Sequence, residues 1–222
     1  MTTTADLLVL EGIRKRWKRN PNPVLEGVDL SLHPGTTTWV GGRNGVGKTT
    51  LLRIAAGLIG ADAGTVSLQG LDPERDRRAY MRLVGLLTAG DRGIYARFSP
   101  RQHLDWCARV ALIPRAQREE RVAHAIDDFE LQELIDRRAD RLSLGQRQRL
   151  RLAMTFLHQP LLVFLDEPLN SLDDEGGARL LGAVKALTER GGALLWASPP
   201  SDQRDIAFDR TYLLDEGLLR DA

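Results

Sequence analysis

Hydrophobic positions along the chain follow two rhythms. Four short runs, Thr37–Val40, Val84–Leu87, Leu161–Leu165 and Ala193–Ala197, hold their apolar character without alternating. That suits strands of a parallel sheet covered on both faces. Between them, Thr49–Leu58, Leu142–Leu157 and Glu175–Arg190 carry helical patterns. Strand alternating with helix implies right-handed crossovers and an α/β fold. Near the start, Leu7–Leu10, Val28–Leu32 and Thr65–Leu68 are divided by Gly, Pro and Asn turns, which predicts a flanking antiparallel piece. From about Asp91 to Gln159 the strand signal disappears. Pro100–Val110, Arg115–Phe129 and the stretch from Leu142 read as helices, with Pro114 separating the first two. The expected organisation is one domain over 1–222. Residues 1–90 and 160–222 form its α/β core, and 91–159 form an inserted all-helical subdomain.

Composition narrows this little. With 222 residues, 42% hydrophobic and 27% charged, the chain is ordinary globular material. A net charge of +1 supplies no field for gripping nucleic acid, and none is expected as a partner. The single cysteine, Cys107, excludes an intrachain disulfide and a Cys-only zinc site. No apolar run approaches the ~20 residues needed to cross a bilayer. Met1-Thr2-Thr3-Thr4-Ala5-Asp6 lacks the basic end and apolar stretch of a secretory signal. A soluble, cytosolic protein is the expectation.

Candidate chemistry changes the picture more. Gly42-Arg43-Asn44-Gly45-Val46-Gly47-Lys48-Thr49 fits G-x-x-x-x-G-K-[ST] and falls between a predicted strand and a predicted helix. Glycines there let successive N–H groups turn inward toward phosphate oxygens, and the helix adds the positive end of its dipole. Lys48 would reach the β and γ phosphates, and the Thr49 hydroxyl would bind Mg²⁺. A bare glycine turn before a helix is the plain alternative. Farther on, the strand Leu161–Leu165 ends in Asp166 and Glu167. Asp166 is placed to hold Mg²⁺, and Glu167 to orient or deprotonate an attacking water. Taken alone, the pair could equally be a capped strand making a turn.

Leu142-Ser143-Leu144-Gly145-Gln146-Arg147-Gln148-Arg149 resembles the LSGGQ signature of ABC ATPases, with Leu144 in place of the first glycine. Pro168-Leu169-Asn170-Ser171-Leu172-Asp173 resembles the D-loop of the same family, and the order and spacing of all three segments match it. The resemblance implies a P-loop NTPase (RecA-like) core, ATP and Mg²⁺ as cofactors, and a head-to-tail dimer. Each nucleotide would lie on the Gly42–Thr50 loop of one subunit and meet Ser143, Gly145 and Gln146 of a second ATPase subunit. It also implies an aromatic stacking on adenine, for which Trp17 stands in the right place. Trp17 lies within Arg14-Lys15-Arg16-Trp17-Lys18-Arg19, which suggests either a nucleic-acid patch or, favoured by the near-neutral total charge, a solvated edge strand and turn.

In the family, the stretch Gly85–Leu104 touches a transmembrane subunit. Its wording here is most similar to ABC-2 type exporters, with a haem-exporter-like ATPase as the competing resemblance. The resemblance implies a motor subunit on the cytoplasmic face of the membrane, docked through Asp91–Trp106 and driving export. The lack of an extra C-terminal regulatory domain is compatible with that. Two family residues are missing. Ala89 stands where a glutamine is usual, and Pro199, after Ala193–Ala197, stands where a histidine is usual. Proline has neither an imidazole nor a backbone donor. His33, His103, His124 and His158 match no switch position and are expected to be structural. Slow hydrolysis is therefore expected, or a heterodimer whose partner completes the site. The alternatives are an ATP-sensing module that dimerises without appreciable turnover, and a soluble ABC protein of DNA repair or translation.

Overall fold

The computed structural model describes residues 6–18, 22–90, 93–202 and 206–222. The first five residues, Arg19 of the basic stretch, and Asp91 and Arg92 of the expected membrane-facing segment lie outside the described residues. Chain order begins with β1 (Leu8–Lys15), β2 (Leu25–Leu32), β3 (Thr37–Gly41), α1 (Lys48–Ala55), β4 (Ala63–Leu68), α2 (Arg77–Leu83) and β5 (Val84–Leu87). It continues with α3 (Pro100–Val110), α4 (Arg115–Asp128), α5 (Leu144–Phe156), β6 (Leu162–Asp166), α6 (Asp174–Glu189), β7 (Ala193–Ala197), β8 (Arg210–Asp215) and β9 (Leu218–Asp221).

The four unalternating runs form a parallel sheet, as expected. Its order is β5-β6-β7-β3-β8-β9, and only the β8–β9 pair is antiparallel. Every residue of β6 and β7 is buried because each face meets a different core. Leu162 and Phe164 face a core shared with α1 and the small sheet, whereas Val163 and Leu165 face one built with α3, α5 and α6. A period of two, buried on both sides, gives a continuous apolar run.

The antiparallel flank is the three-stranded sheet β2-β1-β4. Here one expectation is corrected. The basic stretch starts not on an edge strand but at the end of β1, the central strand, where Arg14 pairs with Glu26 on one side and Ala63 on the other. Lys15 is then consumed structurally, with its Nζ 2.8 Å from both Gly60 O and Asp62 Oδ1. The Lys15 bond, with a backbone bond from Arg16, holds the Asp62 carboxyl below the usual range.

Among the described residues from 93 to 160 there are helices and short 3-10 turns but no strand. Ser99 starts α3 with a reciprocal capping box to Gln102, with Pro100 in the first turn, worth about 1 kcal/mol. Three elements were not expected. α2 buries only Tyr80, and β8 and β9 form a hairpin around Glu216-Gly217, both at positive φ.

Candidate functional site

β3 delivers the chain to the Gly42–Lys48 loop at the C-terminal edge of the parallel sheet. Gly42 and Gly47 are glycines for two reasons. Their φ values are +151° and +122°, and a Cβ would stand 2.6 Å from Leu214 O in one case and 2.9 Å from Val24 O in the other. The loop is thus pressed against β8 on one side and the start of β2 on the other. Gly47 also caps α1 without any side-chain bond, and no acidic residue occupies the first turn of that helix. The leading amides of α1 are arranged as an anion cradle. Lys48, buried, folds back across the loop, with Nζ 2.6 Å from Gly42 O and 3.1 Å from Arg43 O.

The acidic pair lies opposite. Asp166 ends β6 beside Ala197 and is 2% exposed, so the strand runs one residue farther than its apolar pattern indicated. The Thr49 hydroxyl donates to Asp166 Oδ2 at 2.7 Å, which ties the phosphate loop to the acidic strand. Glu167 leaves the strand in the left-handed region, φ +50°, with its N–H bonded to Ala197 O at 2.8 Å. A cavity of about 320 Å³ is lined by Trp17, Val24, Asn44, Gly45, Gly47, Lys48, Thr49, Thr50 and Glu167. Trp17, 42% exposed, forms its rim and carries Lys15 Nζ 5.4 Å above its ring. Arg43 and Val46 belong to the same loop. Arg43 lines a neighbouring cavity, whereas the Val46 side chain packs under Gly42.

The two replaced positions lie at this cleft. Ala89 follows β5, and its N–H points to Asp166 Oδ2 at 3.4 Å. Only its backbone reaches the carboxylate. Pro199 lines a cavity with Arg43, Asn44, Glu167, Asn170, Pro200 and Ser201. It offers that cavity a pyrrolidine ring where an imidazole was expected. His33, His103 and His158 have structural partners, and His124 is exposed.

The signature segment lies away from this cavity. Ser143 and Gln146 form a reciprocal capping box at the start of α5, at 3.2 and 3.0 Å. The Gln146 amide is therefore engaged within its own chain. A Cβ on Gly145 would stand 2.7 Å from Ser171 O, so close packing of α5 against the following turn already demands glycine there.

Sequence reasoning missed a buried relay between these parts. Arg151 donates to Thr88 O and to Gln148 Oε1, and Gln148 Nε2 donates to Pro168 O at 2.8 Å. It joins the end of β5, helix α5 and the turn after Glu167. Next to it lies a groove of about 430 Å³ lined by Leu58, Met81, Leu86, Cys107, Met154 and His158 among others. Burial lifts the Cys107 thiol to about 11, which makes it a poor nucleophile.

Residues 25–170 match the family described as "ABC transporter". The chain belongs to that family. A daunorubicin resistance ATP-binding protein, DrrA3 of Streptomyces coeruleorubidus, is 30% identical over 95% of this chain and 66% of its own length. An sn-glycerol-3-phosphate import ATP-binding protein, UgpC of Paracoccus denitrificans, is 29% identical over 95% of this chain and 59% of its own. The chain thus spans under two thirds of the length of these curated relatives. A solved ATP-binding subunit of an ABC transporter superposes with a TM-score of 0.87 at 22% identity, covering 96% of this chain and 88% of that one. This shows a shared P-loop ATPase fold. Among the described residues no helix is long and apolar enough to cross a membrane.

Proposed function

We propose that the chain is the ATP-binding and ATP-hydrolysing motor subunit of an ABC transporter, working on the cytoplasmic face of the membrane with a separate transmembrane subunit. One observation carries the proposal. The Thr49–Asp166 bond joins the loop to the acidic strand, and Lys48, Trp17 and Glu167 line a single cavity. In that cavity Trp17 stacks on the base, which gives affinity without base selectivity. The loop amides and the α1 N-terminus take the phosphates, and Lys48 exchanges its two carbonyls for phosphate oxygens. Thr49 and Asp166 are a hard, oxygen-only pair that suits Mg²⁺, an ion that keeps several waters and takes few protein ligands. When bound there, the metal neutralises charge on the phosphates. Glu167 accepts the proton of the attacking water.

Two chains would close head to tail, with Ser143 and Gly145 of each facing the nucleotide of the other, so that ATP binds them together and hydrolysis releases them. Residues 91–159 would act as the helical subdomain and present Asp91–Trp106 to the membrane subunit. Outward transport is the proposed direction, supported by the wording of Gly85–Leu104 and the likeness to a daunorubicin resistance ATP-binding protein. Turnover by the isolated chain would be slow, since each missing transition-state group commonly costs about 10²–10³ in rate.

The test is ATPase activity of the purified chain beside Glu167→Gln. Measurable turnover that the variant loses supports the motor. A parent rate equal to that of the variant, with ATP still bound, favours instead a cassette that senses ATP without hydrolysing it. Pro199 at the cleft is the observation behind that second reading.

A further inference from the structure

Glu167 must aim one oxygen at a water, and neither Ala89 nor Pro199 can steer it. The turn that follows can. Asn170 closes the turn onto Glu167 twice, with its N–H on Glu167 O at 3.2 Å and its Nδ2 on Glu167 Oε2 at 2.8 Å. A carboxylate only accepts, so the amide nitrogen must be the atom that faces it. The turn is itself braced. Gln148 Nε2 holds Pro168 O, Leu172 N bonds Leu169 O, and the Ser171 carbonyl lies against Gly145 so closely that no Cβ fits between them. Asn170, Glu167 and Pro199 line one cavity.

We propose that Asn170 is the positioning residue of the hydrolytic step, orienting the Glu167 carboxylate from within the same turn and doing the work that the replaced residue at Pro199 cannot. By occupying Oε2 it leaves Oε1 as the oxygen offered to water. The proposal rests on Glu167 being the carboxylate that accepts the proton.

The experiment measures kcat and KM for ATP in the full chain and in Asn170→Ala, Asn170→Asp, Glu167→Gln and the double variant Glu167→Gln/Asn170→Ala. Removing a hydrogen bond to a charged group should lower kcat about ten-fold in Asn170→Ala with KM for ATP unchanged. Asn170→Asp keeps the volume but replaces the donor with a like charge, and should fall further. In the Glu167→Gln background the alanine change should have almost no effect, because there is no carboxylate left to orient. An equal loss in both backgrounds, or a KM that rises in step with the loss, overturns the positioning role alone. A parent rate that Glu167→Gln leaves unaltered overturns the assignment of Glu167 and this proposal with it. Should Asn170→Ala fail to fold, Asn170→Asp supplies the same comparison.

Discussion

On the loop side of the cleft every group is braced by the fold. Gly42 and Gly47 are pressed against β8 and β2, Lys48 is clasped by two carbonyls, and Thr49 is bonded to Asp166. On the water side, the ends of β5 and β7 present a methyl group at Ala89 and a ring without a donor at Pro199. There Asn170 holds Glu167 by a side-chain bond. Both halves hang from the same sheet, so the backbone is equally well formed in each. The difference lies in the side chains. On the proposed function, holding a triphosphate and hydrolysing it are separable demands, and the braced half serves the first.

Substitutions in each half should therefore fail differently. The largest effect belongs to Glu167→Gln, which should lower kcat by about 10²–10⁴ while ATP binding persists. Lys48→Ala should weaken ATP binding by about 10–100-fold, as expected for losing a charge-assisted contact. If Lys48→Ala instead bound ATP like the parent, the loop side would not be the gripping half.

Arg151→Met tests the brace between the halves. It strands Thr88 O and Gln148 Oε1, and should cost about 2 kcal/mol, seen as a fall in melting temperature of about 4–8 °C. Pro199→His would sharpen the comparison from the other direction. A several-fold gain in kcat at constant KM would show that the missing group limits turnover.

A smaller effect concerns pH. The His103 ring accepts from Tyr95 N–H at 2.9 Å through Nε2 and meets Ser99 O at 2.9 Å through Nδ1, so the folded protein holds it neutral. Burial pushes His103 and His158 below the usual imidazole value. The unfolded chain then takes up protons first as pH falls. Stability should be full above about pH 6.5 and decline below it. Thermal melts at pH 7.5 and 5.5 check this, and replacing both histidines with glutamine should flatten the difference.

Most of the core was legible because its signals are local. The runs in β6 and β7 and the glycine spacing of the loop each need only a few neighbouring residues. What escaped depends on distant partners. β1 became central because β2 and β4 approach it from both sides, which no local pattern records. α2 carries no apolar periodicity to mark it, since Tyr80 alone is buried. The β8–β9 hairpin did carry a signal, Glu216-Gly217 between apolar positions, that went unused. Ser143-Leu144-Gly145-Gln146 also fits a helix cap, the role in which Gln146 is found. Asn170 was marked only as one residue of the D-loop resemblance, since its bond to Glu167 depends on how the turn closes.

The most direct test is a calorimetric titration of Mg-ATP into the parent chain and into Lys48→Ala. The account predicts a saturable signal of one nucleotide per chain that is weakened at least ten-fold in the variant. A silent titration of the parent, or two superimposable curves, would contradict it.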